Sequence, residues 1–372
     1  MPLVRLRGNR ALSPGISICL PNYNGADYLA EAIESVLVQS YSDFELLIGD
    51  DGSSDNSREI IASYVRKDPR IVFWTNEERL GLFGNYNACL KKAKGRYIKP
   101  FAHDDLLEPD ALSRLSAVLE GNPDVSLVSS ERRWIGSRGE TIEGAVHFTE
   151  DQYLCGKEVI IANLITLSNW VGEPSAVMFR GCDKGEGFDQ SLYHYGDIEY
   201  WFRILSKGDL VYLSKPVCRF RRHEQSNTTI NLAGLYFAMD IFRIGDKYKH
   251  YLNELGETKE HFAARAIEKI ALQMDHLVRN EDLKLPTVIA ARPAGHEQFV
   301  RADNDVLREA LFESTGRVTS LLKELLQTQN ELEHRQGECE RLRAAVNQMS
   351  NSVSWRLTAP LRTVREKIGT KE

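Results

Sequence analysis

The stretch "ISICLPNYNGADYLAEAIESVLVQSYSDFELLIGDDGSSDNS", residues 16–57, alternates short apolar runs with an amphipathic segment. Residues 16–21 and 44–50 are apolar runs of strand length, and residues 28–40 carry apolar side chains at helical spacing. A second helical pattern covers residues 57–67. This order of strands and helices predicts βαβ units, and therefore a parallel sheet.

The same alternation continues to about residue 130, with a strand predicted at 70–76, a helix at 85–93 and a strand at 96–102. Beyond residue 131 the pattern is less regular, and we predict strands at 174–180 and 210–223 with a helix at 195–208 between them. We therefore predict an α/β fold with a Rossmann-like, mostly parallel central sheet flanked by helices. A helical or coiled-coil extension follows it at the C-terminal side.

The composition excludes several classes of protein. The 372 residues are 42% hydrophobic and 27% charged, which is ordinary for a globular protein, and the net charge of -6 argues against nucleic-acid binding. Six scattered cysteines without a CxxC pair indicate reduced thiols rather than disulfides or a zinc site. The longest apolar run, at 159–167, is too short to cross a membrane. We expect a cytoplasmic protein, with any membrane contact peripheral and at the inner face of the cytoplasmic membrane.

Polar segments follow three of the predicted strands: "PNYNG" after the first, "DDGSSDNS" after the second and "HDD" after the fourth. In open α/β sheets ligands bind beyond the carboxyl ends of the strands. The adjacent acids Asp104 and Asp105 suit a divalent cation shared with a diphosphate, although Asp105 is equally a good N-cap for a helix over 106–121. Asp50 can accept a hydrogen bond from a base N–H or simply form a turn, and Tyr23 can stack on a base.

These segments, together with "GRYIKPFAHDDLLEP" at 95–109, closely resemble glycosyltransferase family 2, which has the GT-A fold, in its bacterial cell-surface polysaccharide type. The resemblance covers about residues 15–226. It implies transfer of a sugar from a UDP, dTDP or GDP donor to a hydroxyl of a saccharide acceptor, with inversion and with Mg²⁺ or Mn²⁺. The family habit is a lipid-linked acceptor, as in O-antigen, capsule or exopolysaccharide synthesis. The absence of a P-loop or GxGxxG motif removes support for ATP hydrolysis and dinucleotide binding.

The resemblance also implies roles for individual residues. "HDD" corresponds to the family's DxD element with His103 in its first place, which makes Asp105 the metal-binding acid and Asp104 a contact to ribose or sugar. The residues implied to contact the nucleotide are Pro21, Tyr23, Asp50, Asn85, Lys94 and Asp104.

The segment "YGDIEYWFR", residues 195–203, matches the family's Glu-Asp pair at a helix start. Gly196 stands where the Glu would be, and Asp197 takes the place of the general base, with Glu199 as a fallback. A carboxylate suits this role because the acceptor hydroxyl must lose its proton as the donor's diphosphate departs. The alternative for Asp197 is a helix N-cap.

Two later segments complete the implied site. "WVGEPSAVMF" at 170–179 resembles the acceptor side, where Trp170 and Glu173 contact sugar, and "RFRRHEQSNT" at 219–228 resembles the segment that follows the last strand. His223 in the second segment is expected to bind the metal or touch the diphosphate, with Arg221 beside it. The alternative is a structural histidine in a solvated basic edge.

The sequence patterns of the C-terminal part predict protein or membrane contacts, not catalytic residues. An apolar residue recurs at every seventh position, and the companion position three residues later is polar in half of the repeats. This pattern indicates either a coiled coil, which would join a second copy of the chain or a partner protein, or a single long helix packed on the body. The repeat comprises Leu311, Val318, Leu325, Leu332, Cys339 and Val346. The basic amphipathic segment 352–369 suits an anionic membrane surface, a docking peptide or a capping helix.

We therefore divide the chain into a GT-A domain and three appended segments. The predicted limits are 1–245 for the GT-A domain, with a nucleotide-binding half at about 15–130 and an acceptor half at about 131–230, 246–305 for a helical extension, 306–350 for the long helix or coiled coil, and 351–372 for the basic tail. Two alternatives remain for the function. One is a nucleotidyltransferase, and the other is a non-catalytic GT-A scaffold that recruits a polysaccharide-assembly complex.

Overall fold

A computed structural model of the chain describes residues 13–144, 146–233 and 236–279. The chain divides into one unit of Met1–Ala291 and a second of Arg292–Glu372, and all of the described residues belong to the first. The predicted coiled coil at 306–350, the basic tail at 351–372 and the end of the helical extension lie outside the described residues. Among the described helices, none is both long and apolar enough to cross a membrane.

Within the described residues, nine strands form one mixed sheet in the order β3-β2-β1-β4-β8-β6-β9-β5, with β7 also paired to β9. The strands are β1 (Ile16–Asn22), β2 (Phe44–Asp50), β3 (Ile71–Thr75), β4 (Tyr97–Pro100), β5 (Leu106–Leu107), β6 (Val125–Ile135), β7 (Gln152–Leu154), β8 (Met178–Arg180) and β9 (Asp209–Arg221). Strands β1 to β4 are parallel to one another, and β8 runs antiparallel between β4 and β6. The predicted α/β architecture is confirmed.

Ten helices accompany the sheet in the described residues. They are α1 (Leu29–Leu37), α2 (Ser57–Val65), α3 (Gly81–Lys92), α4 (Ala111–Gly121), α5 (Gly156–Thr166), α6 (Gly196–Leu205), α7 (Asn227–Ala233), α8 (Tyr236–Lys247), α9 (Lys249–Glu254) and α10 (Lys259–Arg279). Short 3₁₀ turns precede and follow β8 at Pro174–Ala176 and Gly181–Asp183.

The first strand shows why the sheet is central. All seven residues of β1 are buried, and because side chains alternate across a strand, Ile18 packs in one apolar layer and Cys19 in the other. One layer is completed by α1, α2 and α4, and the other by α3, α5, α6 and α8. The register of β1 with β2 sets Asn22 beside Asp50, so the carboxyl ends of the two strands lie side by side.

Several local predictions need correction. The helix after "HDD" begins at Ala111, beyond the short strand β5, so Asp105 is not its N-cap. Helix α6 begins at Gly196 with Tyr195 as the N-cap residue, which leaves Asp197 inside the first turn instead of at the cap. The predicted strand at 174–180 begins as a 3₁₀ turn because Pro174 donates no ladder hydrogen bond, and only its last three residues join the sheet.

Candidate active site

The loops that follow β1, β2 and β4 meet at one edge of the sheet. Nδ2 of Asn22 donates to Oδ1 of Asp50 over 2.8 Å and to the hydroxyl of Ser53 over 3.1 Å. A Cβ placed on Gly25 would lie 2.4 Å from Oδ1 of Asn22 and 2.4 Å from the ring of His103. A side chain at position 25 would therefore have to displace the Asn22 amide or the His103 ring.

The acids of "DDGSSD" brace this edge. Asp50 is fully buried, and its Oδ2 accepts the backbone N–H of Ser53 over 3.0 Å. Asp51 accepts the N–H groups of Leu80 and Gly81, each over 2.8 Å, at the start of α3, where a negative charge is favourable. Both acids thus have structural partners, and the contact of Asp50 with a nucleoside stays a prediction.

Three of the other residues predicted to contact the nucleotide lie at the same edge. Pro21 is buried in β1, and the Tyr23 ring in the following loop is covered by the guanidinium of Arg79 at 3.8 Å from the ring centroid. Asn85 on α3 donates to the carbonyl of Gly49 over 2.7 Å.

Lys94 lies elsewhere. Its N–H donates to Ser17 at the start of β1 and to Glu45 at the start of β2, over 3.1 and 3.0 Å. The amino ends of parallel strands lie at the edge opposite to the predicted crevice, so the structure does not bring Lys94 together with the other predicted residues.

The first acid of the "HDD" pair faces a histidine from the far end of the sheet. Oδ2 of Asp104 lies 2.9 Å from Nε2 of His223, just beyond β9, and both side chains are mostly buried. Burial opposes ionisation of Asp104, but the hydrogen bond with His223 and the charges of His103 and His223 together lower the pKa of this carboxyl below its usual range. The histidine predicted to bind metal is therefore beside Asp104, not beside Asp105.

Asp105 lies deeper and is held by β9. It is 1% exposed, and its Oδ1 accepts the backbone N–H of Arg221 over 2.8 Å. Its Oδ2 makes no hydrogen bond of good geometry within the described residues, although the Ser175 hydroxyl lies beside the carboxyl group. Burial, with the charge of Asp104, raises the pKa of Asp105 well above its ordinary value.

The donor groups at this edge fit a divalent cation. Carboxylate and imidazole are both ligands of Mn²⁺, and magnesium-type sites commonly use one or two protein ligands with phosphate oxygens and water for the rest. Asp104 and His223 supply two such groups within hydrogen-bond distance of each other. Across residues 13–144, 146–233 and 236–279 no group of three or more His, Cys, Asp or Glu side chains surrounds a single point.

Asp197 has the ionisation behaviour expected of a general base. It lies in the first turn of α6, and its Oδ1 accepts the N–H of Ile198 over 2.8 Å. Burial, with a further contribution from the charge of Glu173, raises the pKa of Asp197 to about 7. A base whose pKa lies near the working pH is the most effective compromise between ionisation and basicity.

Glu173 connects Asp197 with the "HDD" loop. Its negative charge contributes to the raised pKa of both Asp105 and Asp197, so Glu173 lies within electrostatic reach of both carboxyl groups. Its Oε2 lies 2.7 Å from Nε of Arg132, a 6% exposed residue on β6. Arg132 was not predicted from the sequence, because a single arginine within an irregular apolar strand gives no local signal.

Trp170, the second predicted acceptor contact, belongs to an aromatic group with His147 and Phe148. Its indole N–H donates to Oγ1 of Thr166 over 2.7 Å, and its ring lies 5.9 Å from His147 and 6.0 Å from Phe148. The charges of Arg132 and Glu173 both act on His147, and burial lowers the pKa of this histidine. Aromatic faces beside an Arg-Glu pair can pack against a sugar ring and bind its hydroxyl groups.

Glu199 has a different environment. It is fully buried, and its carboxylate accepts from Arg203 over 3.0 Å and from the hydroxyl of Tyr248 over 2.9 Å, with Nζ of Lys247 2.8 Å away. These contacts hold α6 against α8 and α9, so the structure gives Glu199 a packing role and does not support it as the fallback base.

Lys99 is a further buried ion that the sequence did not reveal. Its Nζ donates to the carbonyl groups of Pro100, Pro174 and Ser175 over 2.8, 3.2 and 2.7 Å. Burial lowers the pKa of Lys99 to about 7. The side chain ties the end of β4 to the 3₁₀ turn that follows Glu173.

Comparisons with known proteins indicate the family to which the chain belongs. The model of the family "Glycosyl transferase family 2" matches residues 17–163. An uncharacterized protein of Mycobacterium tuberculosis is 33% identical over 242 residues, which are 62% of this chain and 74% of that protein. The hyaluronan synthase of Pasteurella multocida is 25% identical over 292 residues, covering 74% of this chain and 29% of the synthase.

Among solved structures, residues 1–349 of TarS from S. aureus, crystallised with UDP-GlcNAc, align with a TM-score of 0.50 at 17% identity. The alignment covers 70% of this chain and 72% of that one, and it supports the GT-A fold. The chain belongs to glycosyltransferase family 2. It is a glycosyltransferase with the GT-A fold.

Proposed function

We propose that the protein transfers a sugar from a nucleoside diphosphate sugar to a hydroxyl group of a saccharide acceptor, with inversion at the anomeric carbon and with a divalent metal. The observation that carries this proposal is the meeting of Asp104 and His223, 2.9 Å apart, beyond the carboxyl ends of the parallel strands, in a chain that also places the Asp197 carboxylate in the first turn of α6. A carboxylate poised in this way is what direct displacement needs on the acceptor side.

In the proposed reaction the acceptor oxygen attacks C1 of the donor sugar, and the bond from C1 to the diphosphate oxygen breaks. The acceptor proton passes to Asp197, and the nucleoside diphosphate leaves from the opposite face. Arg132 and Glu173, with Nε and Oε2 2.7 Å apart, and the Trp170 ring orient the acceptor.

Asp104 and His223 are the residues that would hold Mg²⁺ or Mn²⁺, which supplies positive charge to the departing diphosphate. This assignment replaces Asp105 by Asp104, because it is Asp104 whose carboxylate meets His223. Asp105 instead fixes the loop by accepting the backbone N–H of Arg221.

The donor is proposed to be a UDP, dTDP or GDP sugar, bound by the loops after β1, β2 and β4 through Tyr23, Asp50 and Asn85. The acceptor is proposed to be a lipid-linked saccharide of cell-surface polysaccharide synthesis. The chain's likeness to hyaluronan synthase, an enzyme named for a polysaccharide product, supports the saccharide class of acceptor.

The decisive experiment is calorimetric titration of UDP, dTDP and GDP into the full chain, each with Mn²⁺ or with EDTA. We expect one nucleotide to bind in a metal-dependent manner, and the Asp104→Asn variant to lose that dependence. The matched control is Asp43→Asn, because Asp43 accepts a backbone N–H of Gly15 at the amino ends of the strands. Failure of the wild-type chain to bind any of the three nucleotides would overturn the proposal.

A further inference from the structure

The loop immediately before α6 is held by a single buried carboxylate. Oδ2 of Asp240, on α8, accepts three consecutive backbone N–H groups, those of Tyr193, His194 and Tyr195, over 2.8, 2.6 and 3.0 Å. Asp240 is fully buried. Three amides converging on one carboxylate oxygen form a cradle for an anion, and they fix the backbone of all three residues at once.

A second helix holds the same loop from its carbonyl side. Nδ2 of Asn231, on α7, donates to the carbonyl oxygen of Tyr193 over 2.7 Å. Phe237, one helical turn before Asp240 and fully buried, lies with its ring 6.2 Å from the ring of His194. The loop is thus anchored by backbone hydrogen bonds and by apolar contact, all of them from α7 and α8.

The loop leads directly to the proposed base. Tyr195 is the N-cap residue of α6, and Asp197 is the second residue of that helix. Because the helical backbone between them is rigid, the position of the three anchored amides sets where the Asp197 carboxylate points. The charges of Asp197 and Asp240 both act on the Tyr195 hydroxyl, so both carboxylates lie near this residue.

We propose that Asp240 is a positioning residue that sets the orientation of Asp197 through the loop 193–195. The inference rests on the proposed role of Asp197 as the base. Helices α7 and α8 lie beyond residues 17–163, the part that the family model matches, and they belong to the catalytic unit of this chain. A displacement of about 1 Å at a reacting group can reduce a rate a hundredfold, so a backbone anchor of this kind matters to the reaction.

The test uses the full chain and the variants Asp240→Ala, Asp240→Asn and Asn231→Ala. The control is Ile244→Ala, which removes buried apolar contact from the same helix without touching the loop. One measurement is hydrogen exchange of the amides at 193–195. The other is release of nucleoside diphosphate from UDP-GlcNAc, dTDP-rhamnose and GDP-mannose with Mn²⁺, fitted for kcat and KM.

We expect Asp240→Ala to lose protection at 193–195 and to lower kcat by at least about tenfold with KM unchanged, since only the reacting group has moved. Asp240→Asn, which keeps one acceptor oxygen, should fall between Ala and wild type. Asn231→Ala should lower kcat less than Asp240→Ala does. Ile244→Ala should lower the melting temperature while kcat stays near that of the wild type.

Three results would overturn the inference. The first is unchanged protection at 193–195 in Asp240→Ala, and the second is wild-type kcat in that variant although Asp197→Asn is inactive. The third is an equal fall of kcat in Ile244→Ala, which would mean that general destabilisation is the cause. A fully active Asp197→Asn variant, or a wild-type chain that releases diphosphate from none of the three donors, would instead overturn the proposed function, and this inference with it.

Discussion

Nε2 of His223 lies 2.9 Å from Oδ2 of Asp104, although 119 positions of the sequence separate the two residues. The contact joins the loop after β4 to the loop after β9, at the edge where the loops after β1 and β2 also lie. The Asp104 carboxylate and the His223 imidazole can each ligate a divalent cation, and here they form a hydrogen bond with each other. A metal bound with a diphosphate would replace this hydrogen bond.

This relationship predicts that His223→Ala lowers Mn²⁺-dependent nucleotide affinity by at least about tenfold. Removal of a residue that only supports a metal ligand already lowers metal affinity by about tenfold or more. Titration of the nucleotide with Mn²⁺ and with EDTA measures the effect. Only the Mn²⁺ value should change. An equal loss in both conditions would mean that His223 supports the loop and does not hold the cation.

A pH profile tests the role of Asp197. Burial and the Glu173 charge set the pKa of Asp197 at about 7, so the base is protonated below neutral pH and free above it. We expect kcat/KM for diphosphate release to fall about tenfold per pH unit below pH 7 and to level off above it, as titration of one base requires. An acid limb centred near pH 4, the ordinary range of an exposed aspartate, would contradict the assignment.

The same carboxyl group predicts an effect on stability with a definite sign. Its pKa is about 7 in the folded chain and 3.8 without the fold, so between these values the folded state binds more protons than the unfolded state. The free energy of unfolding therefore decreases as the pH rises from about 4 to 7. Asp197→Asn lacks this dependence, and its melting temperature relative to wild type should increase over that interval and then stay constant. A constant difference from pH 4 to pH 8 would show that Asp197 titrates normally.

Much of the fold was predictable because its signals are local. The predicted strand at 44–50 has the same bounds as β2, since the apolar run and the acids that end it lie in one short segment. Helix α6 was likewise predicted from its own periodicity. The long strand β6 was missed, because charged residues such as Glu131 and Arg132, both buried, interrupt its apolar pattern.

The parts of the site that were not predictable depend on distant partners. Two adjacent acids look alike in sequence, and only the pairing of β5 with β9 decides that Asp105 turns inward to Arg221 while Asp104 meets His223. Glu199 resembled a free acid beside Asp197, but its partners come from α8 and α9, about fifty positions later. Asp240 gave no signal at all, because its partners are backbone amides.

Glu199 is expected to matter for stability. The variant Glu199→Ala leaves the Lys247 ammonium and the Tyr248 hydroxyl without their buried acceptor. The free energy of unfolding should fall by about 3 kcal/mol. This value lies in the lower part of the range for broken buried ion pairs, because Arg203 and Lys247 are partly exposed. Denaturant unfolding measures this loss. The matched control is Glu120→Ala, which breaks an exposed pair with Arg96 and should change stability by less than about 1 kcal/mol. Similar values for the two variants would contradict the packing role.

Gly25 gives a prediction about binding with little change in the core. A Cβ at this position would lie 2.4 Å from both Oδ1 of Asn22 and the ring of His103, far inside van der Waals contact. The Asn22 amide and the His103 ring would have to shift, which disturbs the loop that also carries Asp104. We expect Gly25→Ala to weaken nucleotide binding by at least about tenfold, about 1.4 kcal/mol, while the melting temperature changes little because both loops lie outside the apolar layers.

The control for Gly25→Ala is Gly121→Ala, at the end of α4, where an added Cβ meets nothing within 4 Å. This variant should bind nucleotide as the wild type does, and because alanine is the better helix former its stability should not fall. Calorimetric titration and thermal unfolding of both variants separate the two effects. If Gly25→Ala binds nucleotide as tightly as the wild type, close contact between the two loops at Gly25 is not required for nucleotide binding. Nucleotide contacts would then have to come from the loop after β2 and from α3, where Asn85 donates to Gly49.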